Sequence, residues 1–432
     1  MYQFDGLHGR RQVTQIFTIK VLNIALKTDK ELYMHKKYQT GFKTILIMVS
    51  YDGSSIVIIR VGGVPLLILM DGLLYHPQST GIGRYIESLA KAYARKYQGI
   101  DELQVVGLNG QNISAVKMLH LSRSLERSFN RIFFEQWLFR SRLSPLSYDV
   151  VHFPDYQVPV VRRVPSAVMT IHDMVAFKYP SMFPKAQSLM KRQLMAQSVK
   201  VAKRVIVPSQ TTANDLQDIL HVPQERIAVI PHGVEPVQAE GAPEKRPARE
   251  RPYFLAVGTI EPRKNFEGLI HAFSLFVHEN HLSDHVDLLI AGKKGWLYEP
   301  VLEAPHKWNV RDRVFLLEYV SKDELRTLYQ NALALVYPSF YEGFGFPVLE
   351  AMAYGTPVIS STQGALQEVC GDAALLADPA DFEAFSQHMT EIWEDGELRI
   401  SLGQKGRDHA KCYTWEATAE RTREVYLQVA DR

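Results

Sequence analysis

Two glutamates with seven residues between them are the residues of this chain best placed to do chemistry. Glu342 and Glu350 flank a glycine-rich loop that leads into a predicted helix, with Pro347 in its first turn and Gly355 at its end. Backbone N–H groups at a helix start can hold phosphate oxygens, and a carboxylate accepts hydrogen bonds from hydroxyl groups. The arrangement therefore suits a sugar carried on a nucleoside diphosphate. Taken singly, each glutamate is more simply explained as a solvated surface residue.

Two adjacent cations, Arg263 and Lys264, occupy a second predicted junction between a loop and a helix. The loop begins at Gly258, directly after an apolar strand predicted at 253–257. Positive side chains at this point are placed to neutralise a diphosphate and the charge that grows on it as its bond to the sugar breaks. A solvated Arg-Lys pair is the alternative, and it would be preferred if the pair stood alone.

Glycines and single polar residues follow other predicted strands. Gly81 and Gly83 come after the first strand and allow a backbone to approach a phosphate closely. His172 ends another strand of the same half, and Lys293 follows a strand of the second half. A lone histidine is more often structural, and an exposed lysine is more often solvated. The third glycine of a dinucleotide fingerprint is missing, which disfavours a nicotinamide enzyme.

The sequence also lacks an Asp-x-Asp pair of the kind that anchors a metal–diphosphate complex. We therefore predict a metal-independent protein without a cofactor, in which cations and helix N-termini hold the phosphates. His152 and Tyr156 are predicted to lie on the acceptor side of the cleft. His232, in a Pro-His-Gly-Val turn, is interpreted as a structural residue at a position that favours positive φ.

Strands and helices alternate along most of the chain, which indicates parallel sheets built from βαβ units. We predict an α/β protein with two Rossmann-like, doubly wound domains facing a central cleft. The predicted divisions are an N-terminal extension, uncertain or disordered, at 1–64; a first domain at 65–235; a Pro-rich, charged linker at 236–251; a second domain at 252–410; and a terminal helix at 411–432 that packs back across both domains.

Composition excludes several classes of protein. The 432 residues carry a formal net charge of only +2, which gives no argument for nucleic acid as a partner. Two cysteines are too few for a disulfide framework and fit a reducing compartment, so we expect a cytoplasmic protein. The first 64 residues lack domain periodicity, and a basic arm that contacts a membrane is the less favoured explanation of them.

A basic and aromatic stretch at 123–142 has two explanations. We favour an amphipathic helix whose aromatic residues are core and whose arginines are solvated. The alternative is peripheral docking on the anionic inner face of a membrane, where a lipid-linked acceptor would be met. The residues concerned are Arg123, Arg127, Phe129, Arg131, Phe133, Phe134, Trp137, Phe139, Arg140 and Arg142.

The segment 338–355 resembles the E-x7-E signature of the retaining GT-B glycosyltransferases of family 4, also called group 1, and the likeness extends over 66–432. This resemblance implies that Arg263 and Lys264 hold the leaving diphosphate, Glu342 the sugar hydroxyls and Glu350 the ribose. It gives His172 a role in positioning and charge stabilisation near the donor sugar. It also implies a set of donor-binding residues, namely Gly81, Gly83, Gly258, Lys293, Gly343, Phe344 and Gly345.

The expected activity is retaining transfer of a hexose from a nucleoside-diphosphate sugar to a glycan or lipid-linked acceptor in cell-surface polysaccharide biosynthesis. Mannose from GDP-mannose is the first choice, by likeness to mannosyltransferases. Glu318 stands where relatives usually carry a glycine near the nucleobase. Transfer from UDP-glucose or UDP-N-acetylglucosamine is the alternative, and an inactive GT-B-shaped protein that binds nucleotide sugars is the alternative from another class.

Overall fold

The computed structural model describes residues 32–35, 45–51, 55–61, 65–76, 81–126, 128–143, 148–235, 251–282 and 285–430. It divides into two compact units, residues 1–65 and residues 66–432. In the first unit, three strands form an antiparallel sheet: β1 (Leu32–His35), β2 (Ile45–Tyr51) and β3 (Ser55–Val61). The predicted linker lies outside the described residues except for Arg251.

The second unit begins with a domain built on a seven-stranded parallel sheet in the order β10-β9-β8-β7-β4-β5-β6. Its strands are β4 (Leu67–Asp71), β5 (Glu102–Leu108), β6 (Lys117–Leu121), β7 (Val150–Phe153), β8 (Ala167–Thr170), β9 (Arg204–Val207) and β10 (Ile227–Val229). Its helices are α1 (Ile82–Lys96), α2 (Ser128–Phe133), a π-helical turn (Phe134–Leu138), α3 (Phe139–Leu143), α4 (Val175–Lys178), α5 (Lys185–Val201) and α6 (Gln210–Leu220).

A second domain follows, built on a six-stranded parallel sheet in the order β13-β12-β11-β14-β15-β16. Its strands are β11 (Tyr253–Val257), β12 (Asp287–Ala291), β13 (Val314–Glu318), β14 (Ala334–Tyr337), β15 (Val358–Ser361) and β16 (Leu375–Ala377). Its helices are α7 (Phe266–Glu279), α8 (Glu299–Lys307), α9 (Lys322–Asn331), α10 (Phe346–Tyr354), α11 (Leu366–Cys370), α12 (Phe382–Glu394) and α13 (Gly396–Ala410).

Successive residues of each central strand enter the cores on opposite faces of the sheet. On β11, Phe254 and Ala256 face one apolar cluster, while Tyr253 and Leu255 face the other. Strands covered on both faces read as continuous apolar runs, which is why most of them were predictable. The predicted α/β class with two doubly wound domains is confirmed. Strand β6 was missed, because it lies at the sheet edge and none of its five residues is buried.

The terminal helix α14 (Trp415–Ala430) returns to the first domain and packs beside α1. Trp415 and Tyr426 enter the apolar cluster of that domain. Arg423 Nε lies 2.6 Å from the Asp101 carboxylate, whose side chain is fully buried. Because α14 follows the second sheet along the chain, it ties the two domains together, and its first residue, Trp415, packs beside His232 and Phe346 at the cleft.

Candidate functional site

A cleft of about 370 Å³ lies between the carboxyl ends of the two parallel sheets. That volume falls within the range of small-molecule sites. The predicted site residues that line it are Gly81, His172, Gly258, Arg263, Lys264, Lys293, Glu342, Gly343, Phe344, Gly345 and Glu350. Candidates separated by long stretches of sequence are thereby brought to one place.

Glu342 lies between the two predicted cations. Lys264 Nζ is 2.5 Å from Glu342 Oε1, and Arg263 pairs with the second carboxylate oxygen. The hydroxyl of Tyr337 donates to Oε1 at 3.0 Å. Arg263 is also held 2.7 Å from Glu261. Cations and carboxylates thus form one buried, hydrogen-bonded cluster at the cleft.

The cluster keeps Glu342 ionised. Burial by itself opposes ionisation, but Arg263 and Lys264 outweigh it and lower the pKa of Glu342 to about 2. Burial lowers the pKa of Lys264, and the Glu342 carboxylate counteracts that effect. A diphosphate that enters the cleft therefore competes with Glu342 for the cations, and a Glu342 so released could accept hydrogen bonds from sugar hydroxyls.

Glu350 lies in α10 and forms an ion pair with Arg84 of the first domain. Tyr329 donates its hydroxyl to the other carboxylate oxygen at 3.0 Å. Arg84 also lines the cleft, and sequence reasoning missed it. The available signal was its place directly after Gly83, but only the folded domains show that it meets Glu350.

Backbone geometry requires two of the glycines in the loop between β14 and α10, which is called the central loop below. A Cβ on Gly343 would lie 1.8 Å from the carbonyl oxygen of His172, so a larger residue would push the domains apart. Gly345 has a φ of 121° and begins α10, a conformation that favours glycine. The predicted role of Gly83 is not supported, because that residue is buried in the first turn of α1 and does not line the cleft, whereas Gly81 does, with a φ of 59°.

His172 has both ring nitrogens engaged within the protein. Its Nε2 lies 3.0 Å from the carbonyl oxygen of Pro154, and its Nδ1 lies 3.2 Å from Nε2 of His232. A carbonyl can only accept, so we assign the His172 proton to Nε2 and the bridging proton to His232. Burial lowers the pKa of both imidazoles. A neutral His172 supports a positioning role and disfavours the predicted charge stabilisation.

Two histidine interpretations need correction. His232 is not among the residues with positive φ, and its ring is instead stacked on Phe346 and bonded to His172. His152 is fully buried, with its nitrogens 2.7 Å from the Tyr426 hydroxyl and 2.8 Å from the Thr170 hydroxyl. It is therefore a core residue rather than an acceptor-side residue.

Glu318, the residue predicted to lie near the nucleobase, and Lys293 also line the cleft. Lys293 is exposed there, with its Nζ 4.8 Å from the centre of the Tyr319 ring. Glu318 has a φ of 55°, which explains why a glycine suits this position. Its carboxylate pairs with Lys294 at 3.1 Å.

An acidic cluster of Asp71, Glu135 and Asp155 lies at the strand ends of the first domain, and sequence reasoning did not recognise it. Burial raises the pKa of Asp71 to about 6 and that of Asp155 to about 6, and it raises the pKa of Glu135 well above its usual value. Glu135 sits in the π-helical turn, a distortion that often marks functional regions. Arg131 approaches Glu135 at 3.4 Å and only partly offsets these charges.

In the part of the chain that the structure describes, no three His, Cys, Asp or Glu side chains gather as they would around a metal ion.

Among the residues that the structure describes, no helix is long and apolar enough to cross a membrane.

Comparisons with known proteins cover both domains. Residues 79–238 match the family model described as Glycosyltransferase Family 4, and residues 238–409 match the model described as Glycosyl transferases group 1. Among curated proteins, the O-antigen chain mannosyltransferase B of Escherichia coli is 32% identical over 286 residues, which are 64% of this chain and 74% of that protein.

Two further relatives extend the comparison. The O-antigen chain mannosyltransferase RfbU of Salmonella typhimurium is 34% identical over 55% of this chain and 63% of its own length. The structure of a sucrose-phosphate synthase from Thermosynechococcus elongatus superimposes with a TM-score of 0.68 at 22% identity, covering 84% of this chain and 98% of the other. At that identity, the structural likeness concerns the fold alone.

Replacing Lys264 with Met should lower the melting temperature, because it removes one of the two cations beside a buried carboxylate. We expect a loss of about 1–3 kcal/mol. Lys307→Met is the matched control, since Lys307 pairs with Glu267 at the surface at 3.3 Å and should matter by less than about 1 kcal/mol. Adding Glu342→Gln to Lys264→Met should recover stability. A double variant less stable than Lys264→Met would contradict the proposed charge balance.

The acidic cluster predicts an unusual pH dependence for Asp155→Asn. Because the folded-state pKa of Asp155 is raised to about 6, the protonated side chain contributes to the free energy of unfolding. That contribution is fully present below about pH 4 and is lost as the pH rises through 6. The asparagine variant should therefore match the wild type near pH 4 and exceed it at pH 7.5 by up to roughly 3 kcal/mol. Differential scanning fluorimetry across this range measures the difference, and a gain that does not change with pH would contradict the assignment.

Proposed function

This chain belongs to the group 1 glycosyltransferases, also called glycosyltransferase family 4, and we propose that it is a retaining hexosyltransferase. The donor is a nucleoside-diphosphate sugar, and the acceptor is a glycan or a lipid-linked saccharide of a cell-surface polysaccharide. The observation that carries the proposal is the buried cluster of Arg263, Lys264 and Glu342, which lines the cleft between the two sheets.

The proposed chemistry begins with the diphosphate at Arg263 and Lys264. Its oxygens take over hydrogen bonds that Glu342 accepts in the free protein, and Glu342 turns to the hydroxyl groups of the sugar. Glu350 accepts from the ribose hydroxyls, a role that requires Arg84 to share or release it. Helix α10 directs its N-terminus toward the same region.

In the transfer step, the bond from the anomeric carbon to the diphosphate oxygen breaks as a bond to the acceptor oxygen forms on the same face. The departing phosphate takes the proton of the acceptor hydroxyl, and the cations stabilise its charge. No separate protein base is needed. Since cations hold the diphosphate, we propose that the reaction needs no metal ion.

GDP-mannose is the proposed donor. Support comes from the two relatives named as mannosyltransferases, with which this chain shares 32% and 34% identity. A UDP-sugar remains the rival, because the base-side residues Glu318 and Tyr319 do not define a nucleobase. The inactive scaffold is disfavoured, since a decayed copy would have no reason to retain the Arg263, Lys264 and Glu342 cluster.

We also propose peripheral contact with the cytoplasmic face of an anionic membrane, through the first domain. Phe134 and Phe139 are core residues, as the amphipathic helix predicts, but Phe133 and Trp137 are 50% and 49% exposed and stack at 6.5 Å. Arg142 is exposed on the same helical segment. Arg127 and the side chains of Arg123, Phe129 and Arg140 lie outside the described residues.

A neighbouring loop adds to this surface. Gln136 donates to the carbonyl of Val158 at 3.0 Å and accepts from the N–H of Val160 at 2.9 Å. These bonds hold the loop against the π-helical turn, and the next two residues of the chain, Val161 and Arg162, are exposed. Exposed aromatic side chains flanked by arginines suit an anionic lipid surface.

A thermal-shift screen of GDP, UDP, ADP and their sugars tests the proposed donor. In parallel samples with and without EDTA, GDP at a hundred times its dissociation constant should stabilise the protein by about 2.7 kcal/mol. Stabilisation by UDP alone would replace the GDP proposal with its rival, and stabilisation without transfer activity would favour the inactive scaffold. Stabilisation by no nucleotide would contradict a nucleotide-sugar donor altogether. A shift that EDTA abolishes would overturn metal independence.

Flotation with vesicles rich in phosphatidylglycerol tests the membrane proposal. Phe133→Ser combined with Trp137→Ser should reduce the bound fraction several-fold, and added salt should weaken binding of the wild type. Ile400→Ser is the control, because Ile400 is 75% exposed on α13 of the other domain and should leave binding unchanged. A wild type that binds neutral and anionic vesicles equally would refute the electrostatic part of the proposal.

A further inference from the structure

Tyr341 lies in the loop between β14 and α10 of the second domain, but its side chain is buried in the first domain. It is 2% exposed and packs in the apolar cluster of the first domain. Its ring lies 5.9 Å from that of Tyr179, and Lys178 Nζ lies 5.9 Å from the ring centre. Tyr341 therefore fills a socket made by the opposite domain.

Asp215 and Lys178 of the first domain form an ion pair beside the Tyr341 hydroxyl. The Tyr341 hydroxyl donates to Asp215 Oδ2 at 2.6 Å, while Lys178 Nζ lies 2.7 Å from Oδ1 of the same carboxylate. Burial and the Asp215 charge raise the pKa of Tyr341, so its phenol keeps the proton that it donates. Hydrogen bonds to a charged acceptor are the strong ones, and this one joins two domains.

The residues that follow Tyr341 alternate between the domains. Glu342 turns back to the cations of its own domain, and Arg263 donates to the Tyr341 carbonyl at 3.3 Å. Gly343 packs closely against the His172 carbonyl, and the Gly343 carbonyl accepts a hydrogen bond from the Thr212 hydroxyl at 3.4 Å. Glu342 is thus held between two points that are fixed by the first domain.

Other contacts cross the cleft elsewhere. Glu368 of α11 accepts from the N–H groups of Gln210 and Thr211 at 2.8 and 3.1 Å, at the start of α6. Trp296 donates to the Met182 carbonyl at 2.7 Å. These contacts also hold the domains together, but Tyr341 is joined to Glu342 by a single peptide bond.

We infer that Tyr341 is a positioning residue whose docking on Asp215 and Lys178 couples the approach of the two domains to the placement of Glu342. Any movement that widens the cleft must either withdraw the ring from its socket or pull the loop, with the Tyr341 carbonyl, away from Arg263. The inference rests on the proposed function for what Glu342 does, but the coupling between domains can be measured without it.

The kinetic test is a double-mutant cycle on the full chain. Tyr341→Phe and Asp215→Asn should each lower kcat/KM on the order of tenfold, and the double variant should lose no more than the worse single variant, because both remove one interaction. Tyr253→Phe is the matched control. Tyr253 is also 2% exposed, and its hydroxyl donates at 2.9 Å to Leu328 within the second domain. This control should lower the melting temperature while leaving kcat/KM within about twofold, since surrounding contacts are kept.

The physical test is small-angle scattering of the ligand-free protein. Tyr341→Ala should increase the radius of gyration at unchanged far-ultraviolet circular dichroism, and Tyr253→Phe should not. Losses that multiply in the cycle, or a radius unchanged by Tyr341→Ala, would overturn the inference. If the wild type shows no transfer activity but Tyr341→Ala still has the larger radius of gyration, the proposed function is refuted and the coupling between the domains stands.

Discussion

The candidate site depends on one buried carboxylate held between two cations. Strands β11 and β14 are neighbours in the sheet, so the loops that leave their carboxyl ends meet at one edge. One loop supplies Arg263 and Lys264, and the other supplies Glu342. A buried charge without a partner would cost several kcal/mol, so the three side chains constrain one another and fix both loops. The cleft is thereby organised for anionic and hydroxyl groups before any ligand arrives.

The first domain completes this arrangement rather than only facing it. Gly343 is packed against the His172 carbonyl, Tyr341 is buried between α4 and α6, and Arg84 reaches Glu350. Tyr341 and Gly343 of this loop, and Glu350 of α10, therefore each have a contact that exists only while the domains are together. A site distributed in this way is complete in the closed molecule and incomplete in an open one, which links substrate access to the geometry of the reacting groups.

Sequence patterns predicted the elements and the chemistry but not the pairings between domains. Central strands such as β11 were predictable because both faces are buried and the whole strand is apolar, whereas exposed β6 carries no such signal. The Arg-Lys pair and the two glutamates were recognisable from residue type and spacing. The contact of Arg84 with Glu350 depends on how two separately folded domains meet, and no local pattern encodes that. His232 looked like a turn residue because its partner, His172, is distant along the chain.

The protonation states of the cleft bear on the source of the base. His172 is neutral, with one nitrogen on the Pro154 carbonyl and the other accepting from His232, so it has no free lone pair to take a proton. Glu342 is ionised, but two cations lower its pKa to about 2, which makes it a very weak base at neutral pH. Both groups are thus suited to holding a substrate and poorly suited to deprotonating one. A phosphate oxygen that gains charge as its bond to the sugar breaks grows more basic at the moment of transfer, and in the proposed geometry it lies beside the acceptor hydroxyl.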